Sequence, residues 1–327
     1  MCLIAQVPRR LLVAITLLLI APTSVLAHAA AVGPPTLPGV LLAWSLDPLP
    51  WFASAVSAGL YLAAVRNVNR ANPRVRFPAW RLGAWLGGVA CILLALASPV
   101  DVYAEQLLSV HMVQHLLLAM VAPPLLALGA PVTLILRVAR PDVRSRWLLP
   151  VLHSRVVRIL ASPFVAWPLF TAAMFLTHFS PLYDATLEDL TLHRLEHAVF
   201  LTTGLLFWWP VVAADPIPHR LGYAPRLVYI VLQMPVNAAV GLMIYFAPNV
   251  LYEHYATLER TWGPSARVDQ QIGGALMWGA GDLVLLGVVP LIVAAWILED
   301  GRRTLRSDAR RLAATDGPPD KGPGYRT

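Results

Sequence analysis

The chain has 327 residues, of which 57% are hydrophobic and only 13% are charged, and its mean hydropathy is +0.63. A soluble protein of this length cannot bury so large a share of apolar residues in one core, so the composition excludes a soluble globular domain. Apolar blocks recur at about the twenty-residue length that an α-helix needs to cross a bilayer. The sequence therefore predicts an all-α fold, a polytopic transmembrane helical bundle.

The first apolar block has the features of a signal peptide. Arg9 and Arg10 precede an apolar run, and residues 25–27 supply the small-residue pattern that signal peptidase cleaves. We predict a signal peptide over residues 1–27 with cleavage after Ala27, which would make His28 the outer amino terminus. An uncleaved signal anchor is the alternative, because an apolar signal region and a short spanning helix overlap in length.

Seven further apolar blocks predict seven transmembrane helices within a membrane domain over residues 28–300. Their expected ranges are 49–66, 81–98, 108–136, 159–179, 194–214, 226–247 and 271–297. The remaining residues, 301–327, are basic at first and rich in glycine and proline at the end, which predicts a partly disordered cytoplasmic tail.

Positive charge alternates in register with these spans. Arginines gather in the loops at residues 66–81 and 137–158 and in the tail, whereas residues 28–50, 99–107 and 180–192 contain no lysine or arginine. By the positive-inside rule the amino end lies outside and the carboxyl end in the cytoplasm of a bacterial inner membrane. The basic loops would face anionic membrane lipids, and the high isoelectric point implies no nucleic-acid role.

The outer ends of the predicted helices carry histidines at helical spacing. His111 and His115 begin the third span, His193 and His197 begin the fifth, and His178 ends the fourth. Residues four apart lie above one another on a helix, so each pair can offer two imidazoles to one metal ion. Single histidines near helix ends are more often interfacial hydrogen-bonding groups, which is our interpretation of His254.

The ligand types favour copper. Imidazole binds copper, zinc and haem iron. Thioether sulfur selects monovalent copper, so Met112 beside His111 favours copper. A haem-binding membrane cytochrome, or a haem-handling protein with the paired histidines as axial ligands, is the alternative. We therefore expect metal ligation by His111, His115, His193 and His197, with His178 and Met112 as auxiliary ligands.

Other polar residues indicate a functional interior. Asp282 falls near the middle of the seventh span, where a carboxylate is costly unless it is protonated or paired. Gln233 and Asn237 share one face of the sixth span and are its candidate partners in an intramembrane polar site. The carboxylates near the outer histidines can orient imidazoles or remain solvated, and they are Asp101, Glu105 and Glu196.

Several stretches together resemble the CtaG family of cytochrome c oxidase assembly factors. They are residues 111–117, 122–131, 178–183, 193–197, 207–210 and 269–278, in the family's order. The resemblance implies a polytopic inner-membrane protein that is not an enzyme and that helps to make active haem-copper oxidase, plausibly as a metallochaperone that delivers copper to a catalytic subunit. Haem-copper oxidase subunits are then the expected partners.

Two other classes fit less well. A seven-helix retinal photoreceptor needs a lysine within the bundle for its Schiff base, and the only lysine is Lys321 in the tail. A metal-dependent membrane hydrolase would need a general base such as Glu196, but neither histidine pair has the His-Glu-x-x-His order.

Overall fold

A computed structural model describes residues 33–216 and 218–315, and every regular element in those ranges is a helix. We number the seven long helices α1 to α7. They are α1 (Pro48–Ala71), α2 (Ala79–Leu96), α3 (Leu108–Val138, with local breaks), α4 (Pro163–His178), α5 (Leu190–Val212), α6 (Tyr223–Phe246) and α7 (Ala266–Thr315). The all-α prediction is confirmed. The predicted signal segment, residues 1–27, and His28 lie outside the described residues.

Short helices fill the connections between the long ones. Their bounds are Leu37–Leu42, Pro99–Ala104, Pro141–Val143, Leu149–Leu152, Arg155–Leu160, Leu182–Glu188 and Glu253–Thr257, with a π-helical segment at Arg144–Leu148. Several begin with the expected start signals, a proline in the first turn or an oxygen side chain that accepts a hydrogen bond from the backbone. Asp189, for example, accepts from the Thr191 amide at 2.7 Å and so begins α5.

Six helical segments of the described chain are long and apolar enough to cross a membrane. The predicted fourth span is bent: α4 has only 16 residues, and the helix Leu182–Glu188 leaves its end at 70°. Counting this bent pair as one span gives the predicted total of seven, and the protein is a multi-pass membrane protein. Helix α7 runs well beyond the predicted end at residue 297, so the first half of the predicted tail is helical through Thr315.

Helix α3 is the central helix. Of its most apolar 18-residue window, 56% is buried inside the protein, against 17% for α1. It consists of Leu108–Leu116, a π-helical turn at Leu117–Val121, then Ala122–Leu128 and Pro131–Val138. Its first part packs against α7, and its middle packs against α2 and α5.

The π-helical turn has a direct cause in the sequence. Pro123 has no amide hydrogen, so it cannot bond the Ala119 carbonyl one turn earlier. The indole nitrogen of Trp208 on α5 donates to that carbonyl at 3.2 Å instead. The two helices can approach so closely because Gly204 lies at the contact, where a Cβ would be 2.8 Å from the Ala119 oxygen. This contact fixes α3 against α5 in mid-bundle.

Helix α6 packs against the first part of the longer helix α7, with two glycines at the crossing. A Cβ on Gly241 would lie 2.6 Å from the Gly274 carbonyl oxygen, and a Cβ on Gly274 would lie equally close to the Gly241 carbonyl. Small residues at such crossings let helix backbones meet in membrane bundles. The crossing brings the amino-terminal end of α7 against the start of α3.

Candidate metal centre

Five histidines from three helices form one group, which we call the histidine cluster: His111, His115, His178, His193 and His197. The rings of His111 and His193 have centroids 5.3 Å apart, and those of His115 and His178 are 5.4 Å apart. All members are buried except His193, whose side chain is 21% exposed. The structure thus brings together all five of the predicted histidines.

Each helical pair stacks as its spacing requires. The ring centroids are 4.4 Å apart for His111 and His115 and 4.2 Å apart for His193 and His197. The Nε2 atoms of His111 and His115 are 2.8 Å apart. Because these starts of α3 and α5 meet the end of α4, the three helices present their imidazoles to one another at one side of the bundle.

The proton on His111 can be assigned from its neighbours. The hydroxyl of Tyr255 donates its only hydrogen to the Ala104 carbonyl at 2.7 Å. It can therefore only accept from the Nδ1 of His111, which lies 3.0 Å away. Burial holds the pKa of Tyr255 well above its usual range, so the hydroxyl keeps its hydrogen. Neutral His111 then carries an unprotonated Nε2, which is the form that binds a metal.

His178 is held in the same tautomer by a backbone carbonyl. Its Nδ1 lies 2.7 Å from the Met174 carbonyl oxygen, which can only accept, so Nδ1 carries the proton. The Thr177 hydroxyl does not compete, because it donates to the Ala173 carbonyl at 2.8 Å. The Nε2 of His178 is consequently an unprotonated nitrogen, buried and without a hydrogen-bond partner among the described residues.

Glu196 adds one carboxylate to the cluster. Its Oε2 lies 3.8 Å from the Nε2 of His115 and 3.9 Å from the Nδ1 of His193. The side chain is 1% exposed. Sequence reasoning named Glu196 only as a group that could orient imidazoles, whereas in the structure its oxygen lies as close to the rings as a ligand would.

Two overlapping sets of groups have the spacing of a metal site. His111 with His193 and His197 is one set, and His111 with His115 and Glu196 is the other; within each, the possible ligand atoms lie within 4.8 Å of one another. Nitrogens bound to one tetrahedral ion at about 2.0 Å are themselves about 3.3 Å apart. Each set can reach that geometry with small side-chain movements, and His111 belongs to both.

A buried aspartate fixes the start of α3. The carboxylate of Asp269 on α7 accepts from the Leu108 amide at 2.8 Å and from the Ser109 amide at 3.1 Å. It also pairs with Arg260 at 3.2 Å. A carboxylate at this position satisfies the free amides of the helix and favours its positive end. Asp269 therefore sets the position of the first turn, which carries His111.

The predicted auxiliary ligand Met112 and the histidines with no predicted metal role lie elsewhere. Met112 is fully buried, and its side chain packs against Gly273 of α7. The Nε2 of His254 donates to the Glu105 carbonyl at 3.2 Å, as expected of a hydrogen-bonding histidine. His153 and His219 are exposed in other loops.

The predicted intramembrane polar site is a local hydrogen-bonded pair. The amide nitrogen of Asn237 donates to an Asp282 carboxylate oxygen at 3.1 Å and to the Met277 carbonyl at 3.0 Å. Gln233 points instead toward α4, where the Thr171 hydroxyl is 3.5 Å from its Oε1. Asn237 and Asp282 link α6 to α7, while Gln233 makes a separate contact.

Sequence reasoning assigned no role to two tyrosines and one aspartate at the cluster, although Tyr183 and Asp269 lie within stretches that resemble the CtaG family. Tyr183 is fully buried, with its ring 5.5 Å from that of His111 and 5.8 Å from that of His178. Tyr255 fixes the tautomer of His111, and Asp269 fixes the start of α3. Tyr255 directly follows His254 in the connection between α6 and α7, and this neighbour is the one signal that could have drawn attention to it.

The family model of the cytochrome c oxidase caa3 assembly factors (Caa3_CtaG) matches residues 59–299, which include the whole histidine cluster. The chain belongs to this family. The resemblance to CtaG proteins inferred from the motifs is thereby confirmed, and the family is one of assembly factors.

The chain is also similar in sequence to three mycobacterial proteins. An uncharacterized protein of Mycobacterium bovis and another of Mycobacterium tuberculosis are each 34% identical over 299 residues, covering 89% of this chain and 45% of the relative. An uncharacterized protein of Mycobacterium leprae is 33% identical over 284 residues, 84% of this chain and 42% of that protein. The chain thus spans less than half the length of these relatives. No solved structure matches it.

Proposed function

We propose that this CtaG-family protein binds copper at the histidine cluster and delivers it to a haem-copper oxidase during assembly. The observation that carries the proposal is the state of two buried nitrogens. The Nε2 atoms of His178 and His197 have no hydrogen-bond partner among the described residues. Buried polar atoms are nearly always paired, so two unpaired imidazole nitrogens in one cluster favour a bound ion.

The ligands favour copper, zinc or iron over magnesium and calcium, and the assembly of a haem-copper oxidase favours copper among the three. Imidazoles bind copper, zinc and iron, while the single carboxylate in the cluster is too few oxygens for magnesium or calcium. Since haem-copper oxidases need copper at their catalytic centres, an assembly factor with an imidazole cluster suits copper delivery. Copper is then cargo that must be released, and two overlapping ligand sets suit release better than one closed cage.

We further propose that the cluster lies at the periplasmic side of a bacterial inner membrane. The starts of α3 and α5 and the end of α4 meet at the cluster, so they share one side. The loops at the opposite ends of these helices hold the arginines of residues 137–158, which favours a cytoplasmic location for that side.

The proposal is tested by replacing His111 and His115 together with alanine. We expect oxidase activity and membrane copper content to fall toward the values of a deletion strain. His153→Ala is the matched control, because His153 is exposed and outside the cluster. His197→Ala is a second variant that removes no hydrogen bond made by Nε2, so it separates ligand loss from misfolding. Wild-type activity and copper at normal protein abundance would contradict the proposal.

Haem handling is a second candidate, because one cavity has a suitable size. It has a volume of about 600 Å³, mostly apolar walls, and His193 and His197 at one end. Ligand pockets of this size commonly hold cofactors. Its acidic groups, however, would repel haem propionates. A Soret band in the purified protein that disappears in the His193→Ala variant would favour haem over copper.

A further inference from the structure

The cavity of about 600 Å³ leads from the outer side of the protein to the histidine cluster. It lies between α1, the end of α2 and the start of α5, and the helix Pro99–Ala104 forms part of its wall. Three cluster members line it, namely His111, His193 and His197. The other two, His115 and His178, do not line it. The cavity therefore reaches the first of the two ligand sets.

Carboxylates from three parts of the chain line the outer part of this cavity. They are Asp47 at the start of α1, Asp101 and Glu105 four residues apart at the helix before α3, and Glu188 before α5. Arg194 is the one arginine of the lining, and its guanidinium is 2.7 Å from the Asp47 carboxylate. Four acidic side chains thus face one basic side chain.

An acidic lining attracts cations before they reach the imidazoles. A cleft lined by one sign of charge and walled by apolar residues concentrates counter-ions and speeds their association. Oxygen ligands hold copper more loosely than imidazoles do, so an ion would pass from weaker to stronger ligands on its way inward. His197, 7% exposed and with an unpartnered Nε2, is the buried polar group at the inner end of this cavity.

We propose that this cavity is the entry port through which a copper ion reaches the histidine cluster, and that Asp101 and Glu105 are the carboxylates that guide it. The inference rests on the proposed function, since it needs the cluster to bind the ion. Asp101 and Glu105 lie outside the cluster, and their role is kinetic. The port sets how fast the ion arrives, and the imidazoles set how tightly it is held.

The experiment measures Cu²⁺ association with the purified full-length protein in detergent, by stopped-flow quenching of tryptophan fluorescence. It is done at pH 8, because burial raises the pKa of Glu105 to about 7 and the carboxylate is ionised above that value. In the double variant Asp101→Asn, Glu105→Gln we expect the association rate at low ionic strength to fall about tenfold, and the difference to shrink at high salt. The dissociation constant should change less than threefold. The matched control is Glu253→Gln, Glu259→Gln, which removes two exposed carboxylates outside the cavity lining.

A steric variant tests the same port without changing charge. Ala53 lines the cavity from α1, and Ala53→Trp should slow both association and dissociation while leaving the equilibrium affinity unchanged. Wild-type association rates in both the charge variant and the steric variant would overturn the proposal that this cavity is the entry port. Absence of Cu²⁺ binding by the wild type, or binding unaffected by His197→Ala, would instead overturn the proposed function.

Discussion

Two polar regions lie inside this apolar bundle, and they differ in how their hydrogen bonds are satisfied. At the α6–α7 contact, Asn237 donates to Asp282 and to the Met277 carbonyl, so each group has a partner. In the histidine cluster, the Nε2 atoms of His178 and His197 have no hydrogen-bond partner among the described residues. One region joins two helices, and the other presents unused ligand atoms.

Intramembrane polar residues alone therefore do not identify a metal site. Asp282 appeared from the sequence to be a functional carboxylate, yet its contact has the form of a structural link. The cluster shows the opposite pattern, because Tyr255 and the Met174 carbonyl use the Nδ1 atoms of two histidines and leave their Nε2 atoms unprotonated. Unpaired buried atoms, not buried charge, separate the two regions.

The largest expected difference between the regions is in metal binding. The double variant His178→Ala, His197→Ala should weaken Cu²⁺ binding about 100-fold or more, because it removes two ligands, and loss of outer partners alone typically costs 10- to 100-fold. Equilibrium titration of the purified protein measures this effect. An affinity equal to that of the wild type would place the ion outside the cluster.

A smaller loss of Cu²⁺ affinity is expected from Tyr255→Phe. The substitution removes the oxygen that accepts from the Nδ1 of His111 and so frees the ring to change tautomer and orientation. We expect Cu²⁺ affinity to fall about tenfold with little loss of thermal stability. Tyr229→Phe is the control, since the Tyr229 hydroxyl is buried without a partner among the described residues and lies away from the cluster. Equal affinities in the two variants would show that the hydroxyl does not orient the ligand.

Asn237→Ala should lower the stability of the fold without weakening copper binding, the reverse of the result expected for Tyr255→Phe. It removes the amide that links α6 to Asp282, and leaving a buried polar group unpaired costs about 1–3 kcal/mol of folding free energy. We expect a lower melting temperature and unchanged Cu²⁺ affinity. A loss of copper binding at normal stability would mean that the α6–α7 pair belongs to the metal pathway, and the distinction between the two regions would fail.

The smallest expected effect is a change in the pH dependence of stability. Burial raises the pKa of Glu105 from 4.5 to about 7, and the nearby Asp101 carboxylate adds to the rise. The folded protein therefore keeps a proton that the unfolded chain loses, so stability falls as pH rises from about 4.5 to 7. Glu105→Gln should remove this part of the slope in melting temperatures measured between pH 5 and pH 8. Glu259→Gln controls for the loss of one charge, and parallel slopes in all three proteins would contradict the prediction.

The sequence predicted what repeats or alternates along the chain. Apolar blocks predicted the spans, and four-residue spacing predicted that His111 stacks with His115. The alternation of arginine-rich loops predicted the orientation of the spans in the membrane, which stays a prediction. The sequence did not predict what depends on contacts between distant residues. The approach of Tyr255 to His111 joins positions 144 apart, and that of Asp269 to Leu108 joins positions 161 apart. The apolar block of residues 159–179 also gave no sign that the chain turns by 70° after His178.

The bond from the Trp208 indole to the Ala119 carbonyl has a mechanical consequence. It ties α3 to α5 at mid-bundle, where Gly204 allows the two backbones to approach closely. Four of the five imidazoles lie on these two helices, so their mutual spacing depends on this contact. The fifth, on His178, lies on α4 next to the 70° bend, and its position is set independently of the α3–α5 contact.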